Sequence, residues 1–161
     1  RLPSGQGKAI WKYFNLSFDY LPVGGLIENK ILVVHGGIGS HFSNIATFQS
    51  TQKKPFTNPQ ENDIVRDILW SDPADRDNFP GGQSPRGHGI STFSSDEVSS
   101  FCERNNISKI IRSHQCVQDG IEFFAGTKVI TVFSATNYKG TVKNQGSILF
   151  ISRDCVITVK R

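Results

Sequence analysis

The spacing of apolar positions along this chain changes several times, and each change marks an element. Trp11, Phe14, Phe18 and Leu21 recur at helical intervals within Ile10 to Leu21, which predicts an amphipathic helix stopped by Pro22, its aromatic stripe packed into a core. Val23 to Ile27 and Ile31 to Val34 are short apolar runs separated by Glu28-Asn29-Lys30, the pattern of a hairpin. Gly39 to Asn44 reads as loop, and Phe48 to Asn62, interrupted by Pro55 and Pro59, as a surface loop. Asp63 to Trp70 is helical in pattern, with Ile64 and Ile68 on one face, and Asp75 to Gly89 is a further Gly- and Pro-rich loop. Ser94 and Glu97 have the spacing of a capping box and open a helix through about Arg104 that turns Val98, Phe101 and Cys102 inward. Lys109 to Arg112 is a strand, and Ile121 to Ala125, Lys128 to Phe133, Ser147 to Ile151 and Cys155 to Val159 are further strands. The whole predicts one α/β unit ending in an antiparallel meander.

Two of these strands end in the same way. Ile31 to Val34 runs directly into His35-Gly36-Gly37, where the glycines are expected to let the backbone turn sharply, and Lys109 to Arg112 runs into Ser113-His114-Gln115. A histidine at one strand exit has a simpler explanation, a buried imidazole bonded to backbone. Two at neighbouring exits can converge on one point, where open α/β sheets place ligands and metals. His41 and His88 fall in predicted loops.

Composition narrows the reading. The chain of 161 residues is 37% hydrophobic and 20% charged, enough for one domain with a core. Its net charge of +4 is spread out, with Lys53-Lys54 and Lys160-Arg161 the adjacent basic pairs, which argues against a nucleic-acid partner. No apolar run approaches a membrane span and no signal-peptide core opens the chain, so no membrane association is expected. Cys102, Cys116 and Cys155 are odd in number and widely separated, as in the reduced thiols of a cytoplasmic or nuclear protein.

Taken in order, His35-Gly36-Gly37, Leu69-Trp70-Ser71-Asp72-Pro73, Arg86-Gly87, Ser113-His114-Gln115 and Phe133-Ser134-Ala135-Thr136-Asn137-Tyr138 strongly resemble the C-terminal part of the phosphoprotein phosphatases, the metal-dependent protein serine/threonine phosphatases. The resemblance runs from about Trp11 to Lys160. His35 to Gly39, Tyr138 to Thr141 and Gly146 to Phe150 look more like the kelch-repeat-containing branch than the commoner branches. It implies an α/β fold, part of a calcineurin-like metallophosphoesterase β-sandwich flanked by helices. It also implies that His35 and His114 ligate one of two divalent metal ions, Mn, Fe or Zn. By the same resemblance Arg86 grips the substrate phosphate with its guanidinium fork, Tyr138 donates to a phosphate oxygen, and Asp72 lies beside the site or faces substrate. A buried salt bridge is the alternative for Asp72, and core packing for Tyr138. The implied reaction is hydrolysis of phosphoserine and phosphothreonine in phosphoproteins by a two-metal-activated hydroxide.

The family's G-D-x-H-G, G-D-x-x-D-R-G and G-N-H-E motifs, which carry the remaining ligands, a second phosphate arginine and the general acid, do not occur in this sequence. The expectation is therefore that residues 1–161 are the C-terminal portion of a single catalytic domain, with an incomplete metal site, inactive without the N-terminal half, and prone to self-association through an exposed edge. Arg1 in place of methionine leans the same way. The rival readings are a truncated, non-catalytic interaction module and a phosphoesterase acting on small phosphoesters or nucleic acid. Pro85 stands where many relatives carry an acid, and Lys139 where they carry a cysteine.

Overall fold

Strict alternation in Ile31 to Val34 gives one strand two working faces, and the fold is layered around it. The computed structural model describes residues 3–51 and 62–161. Its elements are α1 (Ser4–Phe18), β1 (Gly24–Ile27), β2 (Ile31–Val34), α2 (Ile45–Thr51), α3 (Asp63–Trp70), β3 (Asp72–Pro73), β4 (Gly82–Gln83), β5 (Ser91–Phe93), α4 (Ser95–Asn105), β6 (Lys109–Arg112), β7 (Ile121–Phe124), β8 (Val129–Val132), β9 (Ile148–Ile151) and β10 (Ile157–Lys160). β1, β2, β6, β8 and β7 form a five-stranded sheet in that order, β3, β5 and β4 a small three-stranded one, and β9 and β10 a separate pair.

The expected hairpin is present: β1 pairs antiparallel with β2, Ile27 opposite Ile31. β2, β6 and β8 then lie parallel, so their C-terminal ends share one edge of the sheet. One face of this sheet, with Leu32, Val34, Ile110 and Val129, packs on Val65 and Ile68 of α3 and Val98, Phe101 and Cys102 of α4. The other face, with Ile31, Ile111, Ile121 and Ile130, packs on Leu149, Ile151, Ile157 and Val159 of the β9–β10 hairpin. Period-two alternation thus supplies both interfaces of a helix, sheet and hairpin sandwich.

The helices on the first face are well terminated. Ser94 Oγ accepts from the Glu97 N–H at 3.2 Å and the Ser94 N–H donates to Glu97 Oε2 at 2.6 Å, so the capping box exists as read. Asn106 closes α4 in the left-handed region at φ 51°. Asn62 caps α3 by accepting from the Val65 N–H at 3.1 Å.

Three expectations are corrected. The final strands are two antiparallel pairs in different sheets rather than one meander, because β8 pairs with β6 on one side and β7 on the other and so has no free edge for β9. Residues 48–51 belong to α2, while 52–61 of the anticipated loop lie outside the described residues. Trp11, Phe14, Phe18 and Leu21 are 69%, 60%, 55% and 54% exposed; the stripe has helical spacing, but no surface among the described residues is placed to cover it. The chain does bend at His35 and Gly36, as the glycines led one to expect, without a positive φ at either glycine. They allow close approach: a Cβ on Gly36 would lie 2.6 Å from the Trp70 amide nitrogen, and one on Gly37 would overlap the Phe93 ring.

That approach makes a prediction. Gly36→Ala drives a methyl into the backbone of Leu69 to Ser71 and lowers unfolding free energy by about 1–3 kcal/mol, whereas Gly25→Ala, with nothing within 4 Å, leaves stability unchanged. Urea denaturation of the two variants checks this, and equal midpoints would refute it.

Candidate active site

Parallel pairing of β2 with β6 brings their exits together, and the Ser113 N–H donates to the His35 carbonyl at 3.0 Å. The imidazoles that follow stand with ring centroids 5.0 Å apart. The Trp70 indole, at the end of α3, meets His114 edge-on at 5.6 Å. His114 sits at φ 70°, a conformation few histidines adopt, and this turns its ring toward Asp72.

Asp72 is buried at the start of β3 and is held from two sides. Arg112 Nη2 donates to its Oδ1 at 2.6 Å, and Arg86 Nε donates to Oδ2. Arg86 Nη2 also reaches the His114 carbonyl at 3.4 Å. Burial would raise the Asp72 carboxyl, but the His114 imidazole 3.2 Å away, the Arg86 hydrogen bond and the Arg112 charge outweigh it and hold the acid well below the usual carboxylate range. The salt bridge considered as the alternative for Asp72 is therefore present.

Arg112, last residue of β6 and only 1% exposed, is the functional position that sequence reasoning passed over. Besides Asp72 it donates from Nε to the Gly36 carbonyl at 2.5 Å and from Nη1 to Gln115 Oε1 at 2.6 Å. One guanidinium thus fixes the residue after His35, the residue after His114 and the carboxylate that orients Arg86. Burial draws its pKa down to about 10, still charged at neutral pH, with Asp72 opposing the shift. A basic residue closing an apolar strand was the available signal.

The His35 imidazole is held below its ordinary pKa by burial first, then by the charges of His114, Arg112 and Arg86. His114 Nδ1 is buried and faces Asp72 Oδ1 at 3.2 Å without an aligned hydrogen bond. The pair fits part of a donor set. Among the described residues no group of three or more His, Cys, Asp or Glu side chains could hold a metal.

The structure therefore brings together His35, His114, Asp72 and Arg86. Tyr138 lies on the loop after β8, at the same sheet edge, where its ring packs edge-on against Phe133 at 5.1 Å with the Lys139 ammonium 5.6 Å above it. Its contacts are with these residues rather than with the other four. His41 and His88 stand apart, lining a surface cleft of about 460 Å³ with Gln83 and Glu97.

Parallel strands that end in two facing histidines, beside an arginine held by a buried carboxylate, make up the site. The pattern defining the calcineurin-like phosphoesterase family matches residues 2–118, and the chain belongs to that family. Within it, the chain is 40% identical over 161 residues to Serine/threonine-protein phosphatase BSL2 of Arabidopsis thaliana, covering 99% of this chain and 16% of that protein. It also matches a solved protein serine/threonine phosphatase from Saccharomyces cerevisiae, described as similar to human phosphatase PP5. There the TM-score is 0.80 and the identity 28%, over 94% of this chain and 50% of that one. The chain spans half the length of the yeast structure and a smaller share of BSL2.

The double clamp on Asp72 sets two expectations. Arg112→Met strips a buried charge of its partner and costs about 3–5 kcal/mol, more than Arg86→Ala, whose side chain is 31% exposed. Because the folded carboxyl titrates below the unfolded value of about 3.9, its contribution is complete above that pH and is lost as pH falls below it. Thermal unfolding between pH 5 and pH 2 should fall more steeply for the wild type than for Asp72→Asn; parallel curves would refute the assignment.

Proposed function

We propose that this chain is the C-terminal portion of the catalytic domain of a metal-dependent protein serine/threonine phosphatase of the kelch-repeat-containing branch. It would act on phosphoserine and phosphothreonine in phosphoproteins, in the cytoplasm or nucleus. The observation that carries the reading is the convergence of His35 and His114 on the Asp72–Arg86 pair at the ends of parallel strands. Forty per cent identity to BSL2 supports the substrate class and the branch.

In this reading His35 and His114 hold one of two divalent ions, Mn, Fe or Zn. When bound, such ions activate the attacking water and neutralise charge on the phosphoryl oxygens. The rest follows from the protein. Asp72 uses Oδ2 to point the Arg86 guanidinium, leaving its remaining N–H groups to receive two phosphate oxygens. Arg112 balances the Asp72 charge from behind, so that Arg86 keeps its net attraction for a phosphate. The Tyr138 hydroxyl supplies a further donor from the loop after β8.

The remaining ligands belong to a preceding N-terminal half of the domain, and α1 supports this. Its exposed Trp11, Phe14 and Phe18 form an apolar stripe far larger than the scattered apolar residues of an ordinary surface, suited to cover by that half. Alone, the chain would self-associate through it.

The test is hydrolysis of p-nitrophenyl phosphate and of a phosphothreonine peptide, with manganese, by the chain alone and by the chain joined to its N-terminal half. We expect no turnover from the chain alone, and turnover from the joined domain that Arg86→Ala lowers by about 10²–10³-fold. Manganese-dependent turnover by the single chain, or full activity in Arg86→Ala, would overturn the reading. Partner binding without hydrolysis by the joined domain would favour the interaction module.

A further inference from the structure

Asp67 lies on the buried face of α3 and takes no part in the chemistry proposed above. We infer that it is a positioning residue for that chemistry, its carboxylate holding the loop that begins at His35 against the helix that leads into Asp72. This rests on the phosphatase reading of the His35 and Asp72 site.

The contacts run the length of the loop. At its start, the Gly36 N–H donates to the Ile68 carbonyl at 2.7 Å, and the Gly36 backbone lies against that of Leu69 to Ser71. In its middle, Gly39 adopts φ +46° and sits so near the Asp67 carboxylate and the Ser71 hydroxyl that a Cβ would overlap both. At its far end, Asp67 Oδ2 accepts the N–H groups of His41 at 2.5 Å and Phe42 at 3.1 Å, with His41 Nδ1 3.3 Å away. Gly36, Gly39, His41 and Phe42 are thus each set against residues 67–71, between the neighbour of His35 and the neighbour of Asp72. Loosening Asp67 frees the far end of this loop and leaves the Gly36–Ile68 bond alone to hold the His35 end against the helix that leads to Asp72.

Core packing alone does not account for this residue. Asp67 is fully buried, its Oδ1 has no hydrogen-bond partner, and neither has the hydroxyl of Ser71 four residues on. Burial also pushes its acid above the ordinary range. A buried carboxylate with a bare oxygen is an unfavourable way to fill space. An apolar side chain would fill it better but could not accept two N–H groups from the loop. Phe42 is already anchored among Phe48 and Phe101, and Ser40 on Ser91 Oγ, so Asp67 adds attachment to α3 in particular.

The test uses the chain joined to its N-terminal half. In Asp67→Ala the loop N–H groups lose their acceptor; in Asp67→Asn the amide oxygen keeps them. Val98→Ala, a core change in α4, serves as a variant destabilised without touching the loop. Measured where all are folded, Asp67→Ala should lower kcat by about 10²-fold with KM little changed, Asp67→Asn should recover most of it, and Val98→Ala should keep the wild-type kcat. Amide exchange adds a readout independent of turnover. Asp67→Ala should speed exchange at Gly36 and at Ser113, whose N–H bonds the His35 carbonyl, while Asp67→Asn and Val98→Ala should not. Wild-type kcat and unchanged exchange in Asp67→Ala would overturn the inference while leaving the phosphatase reading intact. Faster exchange in a domain that hydrolyses nothing would sink the phosphatase reading and leave the positioning of His35 standing.

Discussion

The Arg112–Asp72 pair is the interaction on which the site depends. Separating those charges would leave a carboxylate and a guanidinium stranded in a nearly dry interior, a far costlier state than loss of a surface ion pair. The pair is stable because each partner is used fully. Asp72 receives both arginines and lies beside His114, and Arg112 reaches the backbone after His35 and the side chain after His114. Three loops of distant sequence origin are drawn to one charge centre. The backbone geometry of β2 and β6 brings the histidines near each other, and the charge network fixes how they face.

Two guanidinium groups, those of Arg86 and Arg112, face the single Asp72 carboxylate and leave a net positive centre, and burial together with these charges holds the His35 imidazole below its ordinary pKa. That positive charge is held in place by a rigid sheet edge, where β2, β6 and β8 end side by side. The same rigidity comes from glycine positions chosen for proximity: at Gly36 the loop backbone meets the helix backbone with no room for a side chain.

The hydrophobic effect tells a different story at the two ends of the chain. Both faces of the five-stranded sheet are closed by α3, α4 and the β9–β10 hairpin, whereas α1 carries its aromatic stripe in the open. Helical spacing states which residues share a face but says nothing of what that face meets. For α4 the partner surface is the sheet and Val98, Phe101 and Cys102 are buried as their pattern implied. For Trp11, Phe14 and Phe18 an equally regular pattern has no partner surface among the described residues. The difference lies wholly in tertiary contacts.

Much of the local structure was legible in the sequence because its causes are local. The Ser94 and Glu97 capping box, the β1–β2 hairpin, the inward face of α4 and the strand exits at His35 and His114 all follow from spacing and side-chain chemistry within a few residues. The ordered motifs from His35 to Tyr138 also conveyed the family, since their residue types answer to one chemistry. What could not be read was long-range. That β8 would pair with β6 and leave β9 and β10 in another sheet is a choice among strand partners with similar propensities. That Gly36 is needed for contact as well as for the bend depends on Trp70, thirty-four positions away. Arg112 and Asp67 looked like an ordinary strand end and an ordinary helix charge, because a charged residue declares a buried role only when the groups that neutralise or receive it are in place. The sequence by itself determined the elements and the kinds of side chain available to the site; the tertiary structure decided which charges were buried together, because desolvation and pairing energies exist only once distant segments meet.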